Sequence, residues 1–188
     1  RQEAIYKKTT ELYPNDFRAY NNLGMMAYAN GDFTTAENYF KQAASKDANA
    51  PEVNTNLGYI ELVKGNVANA ETYLSKSTGA NTANEALGNL YIKQGQYDRA
   101  VQAFGDTKTN SAALAQILAK DYNKAKNTLN AVKNPDAYTD YLMAIVGART
   151  NNASLVKSSL ENVAKQDAAL AAKATTDREF AKYDVEIK

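Results

Sequence analysis

The chain contains no cysteine, no histidine and no tryptophan. Without cysteine there can be no disulfide and no thiol nucleophile, although that leaves the compartment open. The missing histidine is more restrictive. It removes the commonest general base and the commonest metal ligand. Carboxylates, lysines and tyrosines remain, but they form no catalytic constellation along the chain. No catalytic residue, no metal site and no cofactor is expected, and the protein is read as a non-enzyme. A dominant charge is also missing: 22 basic and 21 acidic residues leave a net charge of +1. Such a chain has no field to gather nucleic acid or an anionic membrane. No apolar run approaches the ~18 residues of a membrane helix, so this segment is not expected to insert directly into a membrane. The glycines are scattered and form no phosphate loop.

What is present is periodic. Leu23-Gly24 returns 34 residues later as Leu57-Gly58. Asn22 returns as Asn56, Gly31 as Gly65, Ala36 as Ala70 and Phe40 as Leu74. A fixed period of this size signals stacked helix-turn-helix units rather than one closed core. Tyr20, Leu23, Gly24 and Ala27 share one helical face, and Phe33, Ala36, Phe40 and Ala43 share another. Asn30-Gly31 separates the two, with Asp32 as the next N-cap. Pro51 suits the first turn of the second unit. The third unit carries Leu87, Gly88, Tyr91, Gly95, Tyr97, Ala100 and Phe104, four residues early. The shortening is expected in the connection from Ser77 to Asn81.

Later units diverge. Asp121, Tyr122, Ala125 and Leu129 repeat the second-helix pattern, leaving a short first helix over Ser111–Leu118. Tyr138, Tyr141, Met143, Ala144 and Ile145 fall on a further first helix, and Val156 and Leu160 on its partner. Asn151-Asn152 takes the turn slot of Gly31-Asp32. From Ala168 to Ile187 the chain reads as a cap, with Leu170 as an anchor, Asp177 as an N-cap and Phe180 with Tyr183 as an aromatic pair. Tyr6, Thr9 and Pro14 align with Phe40, Ala43 and Ala48, as if the chain opened inside a repeat whose first helix is missing. It also opens at Arg1 without methionine or a signal segment, so a piece of a longer protein is expected.

The run Tyr20, Leu23, Gly24, Ala36, Phe40 and Ala43 resembles the tetratricopeptide repeat (TPR) signature, with tyrosine at its usual tryptophan. The resemblance implies an all-α fold, a right-handed TPR α-solenoid of about five helix-turn-helix units with a C-terminal helical cap. It implies one superhelical domain over 1–188: a remnant at 1–14, regular repeats over 15–105, degenerate repeats over 106–165 and a cap over 166–188. Thr176–Tyr183 and Ala144–Asn151 resemble the C-terminal end of large TPR-containing envelope proteins of Bacteroidetes, which implies a cell-envelope location, periplasmic or outer-membrane associated.

In that family the first helices line the concave face. The groove positions expected to contact a peptide or protein segment are Arg18, Asn22, Met25, Asn56, Tyr59, Asn89 and Lys93. Arg18, Asn22 and Asn56 resemble half of the carboxylate clamp of chaperone-binding TPR domains. Its remaining basic slots hold Thr82 and Ala86 here, which argues against reading a terminal carboxylate. Tyr28, Tyr59, Leu62 and Ile92 either form an apolar patch beside these positions or pack between helices. Asp136 and Asp140 suit a helix start, and Lys120, Lys124 and Lys126 a solvated face. The function expected is a non-catalytic protein-interaction scaffold. The alternative is a structural spacer or self-association module of a larger envelope protein, with weak homo-oligomerisation.

Overall fold

The computed structural model describes residues 1–77 and 81–183, without the side chains of Asn81 and Thr82. Among the described residues the fold is all-α. Its helices are α1 (Gln2–Leu12), α2 (Phe17–Ala29), α3 (Phe33–Lys46), α4 (Pro51–Lys64), α5 (Val67–Ser75), α6 (Asn81–Lys93), α7 (Tyr97–Phe104), α8 (Asn110–Leu118), α9 (Tyr122–Asn130), α10 (Ala137–Arg149), α11 (Ala153–Gln166) and α12 (Ala168–Ala174). A 3₁₀ turn at Arg178–Phe180 follows. The chain divides into two compact units, Arg1–Leu87 and Gly88–Lys188.

In the first unit α2 packs on α3, α3 on α4 and α4 on α5, with α1 against α2. The seam of each hairpin is a glycine facing a large side chain. A Cβ added at Gly24 would lie 2.5 Å from Cδ1 of Phe40, and one at Gly58 would lie 2.8 Å from Leu74. Ala36, Phe40 and Ala43 are buried with Val53, Leu57 and Ile60 in one core. Phe33, expected on that same buried face, is 38% exposed and meets Tyr28 edge-on at 5.1 Å.

The second unit repeats the seam. A Cβ at Gly88 would lie 2.5 Å from Cε2 of Phe104. Ala113, Leu129, Leu142 and Val146 form one core, and Tyr141, Ala144, Val156, Leu160 and Phe180 another. Sixteen residues separate every seam pair: Gly24 and Phe40, Gly58 and Leu74, Gly88 and Phe104, Ala113 and Leu129, Ala144 and Leu160. Where alanine takes the glycine's place, leucine sixteen residues on shares its core, as Leu129 does with Ala113 and Leu160 with Ala144. Relative to the Gly24–Phe40 and Gly88–Phe104 seams, one methyl group is gained and ring volume is given up, which conserves packing.

Each hairpin turns in the same way. Gly31, Gly65, Gly95, Lys120 and Asn151 all have positive φ, from 58° at Asn151 to 79° at Gly31 and Gly65. The next residue's N–H reaches back to a carbonyl one turn inside the helix: Asp32 to Ala27 at 2.9 Å, Asp121 to Gln116 at 2.8 Å, Asn152 to Gly147 at 2.8 Å. This double closure satisfies carbonyls that a helix end leaves open. Asp32, Asp121 and Asn152 then cap the following helix through their side chains. Asn151-Asn152 holds the slot of Gly31-Asp32, as its sequence position suggested.

The variable repeat length resides largely in the second helices. The α3 and α11 helices have 14 residues each, whereas α5 and α9 have 9 and α7 has 8. The connection expected to absorb the first shortening lies partly at 78–80, outside the described residues. At the C-terminal end α12 packs on α11 and the 3₁₀ turn on α10. Asp177 caps that single turn rather than a helix. Phe180 is buried, with Leu170 and Tyr183 packed against its cluster; Ile187 lies outside the described residues.

Two outcomes test this packing. Gly24→Ala should destabilise the protein by about 1–3 kcal/mol through overpacking. Adding Phe40→Leu, which recreates the alanine–leucine pair of the later hairpins, should recover more than half of that loss in urea melts. Lys120→Gly should stabilise by ~1 kcal/mol, because it relieves the left-handed backbone of a residue with a Cβ, whereas Gly65→Ala should cost a similar amount.

Candidate functional site

In the first unit α2 and α4 present the residues expected to bind. Arg18 follows the N-cap Asp16 and is clipped to it. Nη2 donates to Oδ2 at 2.6 Å and Nε to Oδ1 at 3.0 Å. The Arg18 side-chain bonds, followed by its backbone N–H, hold the Asp16 carboxyl down at about 2. The guanidinium is exposed but already neutralised locally. Arg18 therefore offers an incoming carboxylate less than its sequence position suggests.

Asn22 is half-buried and Met25 is 50% exposed. Asn56 does not stand free for a ligand: its Nδ2 donates to Oδ1 of Asn21 at 2.8 Å. Asn21 is buried and its own amide faces the Met25 sulfur at 3.9 Å. The amide pair ties α2 to α4, so part of the expected clamp serves as an inter-repeat bond. The sequence offered Asn21-Asn22 as neighbours, and the 34-residue period selects Asn22. The bond instead joins residues 35 apart, because the contact runs between adjacent helices and not between equivalent positions.

Tyr59 is half-buried. Burial first, then the nearby Glu85 carboxylate and Tyr28, raise its phenol above the ordinary value. Tyr28, Tyr59 and Glu85 thus share one neighbourhood, with Met25 and Val63 (45% exposed) on the same two helices. No periodic signal places the Glu85 charge beside Tyr59. Asn89 and Lys93 are exposed on α6 and belong to the second unit. Of the two slots that depart from the clamp, Ala86 is half-buried, and the Thr82 side chain lies outside the described residues.

The second unit has its own polar assembly on α10. Asp136 forms a capping box with Thr139, whose hydroxyl also donates to Asn110 of α8 at 2.9 Å. The backbone N–H of Thr139 is the main reason the Asp136 carboxyl sits below its usual range. Asp140 accepts from Gln166 at 2.8 Å. These carboxylates are structural, which matches the helix-start reading. Further along α10, the Tyr141 hydroxyl donates to Asp177, and its ring meets Phe180 at 5.6 Å. Arg149 grips Glu179 through Nη2 at 2.6 Å and Nε at 3.2 Å. Among the described residues there is no cluster of three or more potential metal ligands, and no helix long and apolar enough to cross a membrane.

This all-α stack of glycine-seamed hairpins is the architecture of a tetratricopeptide-type α-solenoid. Three tetratricopeptide repeat models match the sequence, over residues 5–38, 23–85 and 84–108, together more than half of its length. The chain belongs to the tetratricopeptide repeat family, whose members generally serve as protein-interaction scaffolds. No curated protein matches it in sequence. Among solved structures it is similar to YrrB, a TPR protein with an unusual peptide-binding site. The identity is 18%, the coverage 92% of this chain and 98% of that one, and the TM-score 0.70. PilF of Pseudomonas aeruginosa is similar at 13% identity, over 94% of this chain and 85% of that one, with a TM-score of 0.70. PilW, a widely conserved type IV pilus biogenesis factor, gives 19% identity, 95% and 87% coverage and a TM-score of 0.64. At these identities the likeness is one of fold.

Burial, reinforced by the hydrogen bond to Asp177, holds the Tyr141 phenol well above its ordinary value near 10. A raised folded value favours the neutral phenol in the native state. Its contribution is complete below about pH 10 and is lost as pH rises from there toward the folded value. Urea midpoints of the wild type should therefore fall more steeply above pH 10 than those of Tyr141→Phe. Parallel slopes would refute the assignment.

Proposed function

We propose that the chain binds a peptide or protein segment along the α2–α4 face of its first unit, as a non-catalytic interaction module. The contacts on this face are assigned to Arg18, Asn22, Met25, Asn56 and Tyr59; Asn89 and Lys93, exposed on α6, are proposed as contacts of the second unit by itself. The observation that carries this reading is the exposure of Met25 and Val63 beside the half-buried Tyr59. A thioether and an isopropyl group held in water on adjacent helices lose nothing by being covered, and each gains on the order of 1–2 kcal/mol when it is. The polar groups modify the chemistry of the ligand. Arg18 is engaged by Asp16 and Asn56 by Asn21, so the face is poor in free cation and rich in apolar and amide surface. It suits the body of a segment better than a terminal carboxylate. The peptide-binding site of YrrB supports the same kind of use. A cell-envelope location is proposed on the resemblance of Thr176–Tyr183 and Ala144–Asn151 alone.

The test uses an exposed position, so that folding and binding separate. Met25→Glu should change stability by no more than about 0.5 kcal/mol. It should lower retention of bound protein segments on immobilised chain at least about ten-fold, the loss of ~1.4 kcal/mol. Retention that survives both Met25→Glu and Tyr59→Ala would remove this face from consideration.

A further inference from the structure

The first and last full hairpins coincide in register. The α2 and α3 helices span Phe17–Ala29 and Phe33–Lys46, and α10 and α11 span Ala137–Arg149 and Ala153–Gln166. Asp16 and Asp136 cap their first helices, and Gly31 and Asn151 hold the left-handed turn. Asn21, Met25, Tyr28 and Ala29 on α2 therefore correspond to Tyr141, Ile145, Ala148 and Arg149 on α10. On α2 this row includes the exposed Met25. On α10 the row is covered by the chain itself.

The cover is specific. Tyr141 donates to Asp177 and stacks edge-on with Phe180. Ile145 packs against the cluster that holds Phe180. The Ala148 carbonyl accepts from the Tyr183 hydroxyl at 3.4 Å, and Arg149 takes Glu179 in a two-pronged pair. Beyond the helix, Lys182 donates to Asn151. We infer that this face of α10 is a recognition site for an acidic–aromatic protein segment, and that Asp177–Tyr183 is its tethered occupant. The site reads two carboxylates, through a phenol and a guanidinium, with one ring inserted between them. It is separate from the α2–α4 face proposed above.

The occupant is built to leave. Within Asp177–Tyr183 only Phe180 is buried, and the segment holds a single 3₁₀ turn. A short segment with one buried ring, whose other contacts are polar and partly exposed, opens locally before the surrounding helices unfold. While tethered, it competes at high effective concentration, so a segment in trans binds only in proportion to the open fraction.

The probe is a fluorescein-labelled synthetic peptide covering Thr176–Tyr183, titrated into the whole chain. Asp177→Asn with Glu179→Gln loosens the tail without touching α10. That variant should bind the peptide at least about ten-fold more tightly than wild type, in line with its larger open fraction. Adding Arg149→Ala should abolish the gain, whereas adding Met25→Glu should leave it intact. A concentration-dependent dimer of the loosened variant, suppressed by the peptide, is the same site taken by a second copy and supports the inference. A folded variant that binds no better than wild type overturns it. If the variant fails to fold, hydrogen exchange on the wild type decides. Amides of 178–183 should exchange at least about ten-fold faster than those of the α11 core. Equal rates would make the tail a permanent part of the fold and sink the proposal.

Discussion

Everything in this molecule depends on how closely two helices of a hairpin can approach. The missing Cβ at Gly24 admits the Phe40 ring against the α2 backbone, and Gly88 does the same for Phe104. A mid-helix glycine costs roughly 1 kcal/mol of helix propensity. Burial of a ring that fills the space returns about 2–3 kcal/mol. The balance is favourable only if the ring and the glycine meet, which is why their separation of sixteen residues survives while the spacing between repeats does not. The turn enforces that separation. Its left-handed residue and double closure set the start of the second helix, so length is gained or lost beyond the seam, mostly at the far end of α5, α7 and α9.

That division explains which parts of the fold were legible in the sequence. The Leu-Gly period, the Asn-Gly and Lys-Gly stops and the aspartate caps are local devices, and they mark the hairpins of the first unit without structural help. The later hairpins were harder. Ala112-Ala113 and Met143-Ala144 do not look like Leu-Gly, yet they occupy its place, with Leu129 and Leu160 as smaller partners. A search for glycine misses them. A search for complementary volume sixteen residues apart finds them. Lys120 was hidden for a related reason. A lysine with positive φ has no compositional signature, and in the sequence it read as part of a basic face.

The proposed binding face was less legible than the fold, because its side chains are set by contacts between repeats. Asn22 and Asn56 keep the period, but the hydrogen bond joins Asn56 to Asn21. Arg18 sits where a basic groove residue belongs, yet its partner is Asp16, the N-cap of its own helix. Periodicity identifies equivalent positions, whereas side chains bond to whatever is near: Arg18 meets the cap of its own helix, and Asn56 meets a neighbouring helix one residue out of register. Met25, by contrast, is exposed and, among the described residues, bonds across no repeat.

Seam and turn impose the same helix limits on the α2–α3 and α10–α11 hairpins, but place no demand on the row outside the seam. That row is free to differ: amide, thioether and phenol on α2, phenol, aliphatic and guanidinium on α10. On α10 the row is matched by Asp177, Phe180 and Glu179 of the chain's own tail, which bury a surface that would otherwise end the stack uncovered. A scaffold whose packing and recognition rows are independent can vary its ligand without losing its fold. The last hairpin shows this within one molecule, since its seam is held by Ala144 and Leu160 while its outer row closes over a segment of the same chain.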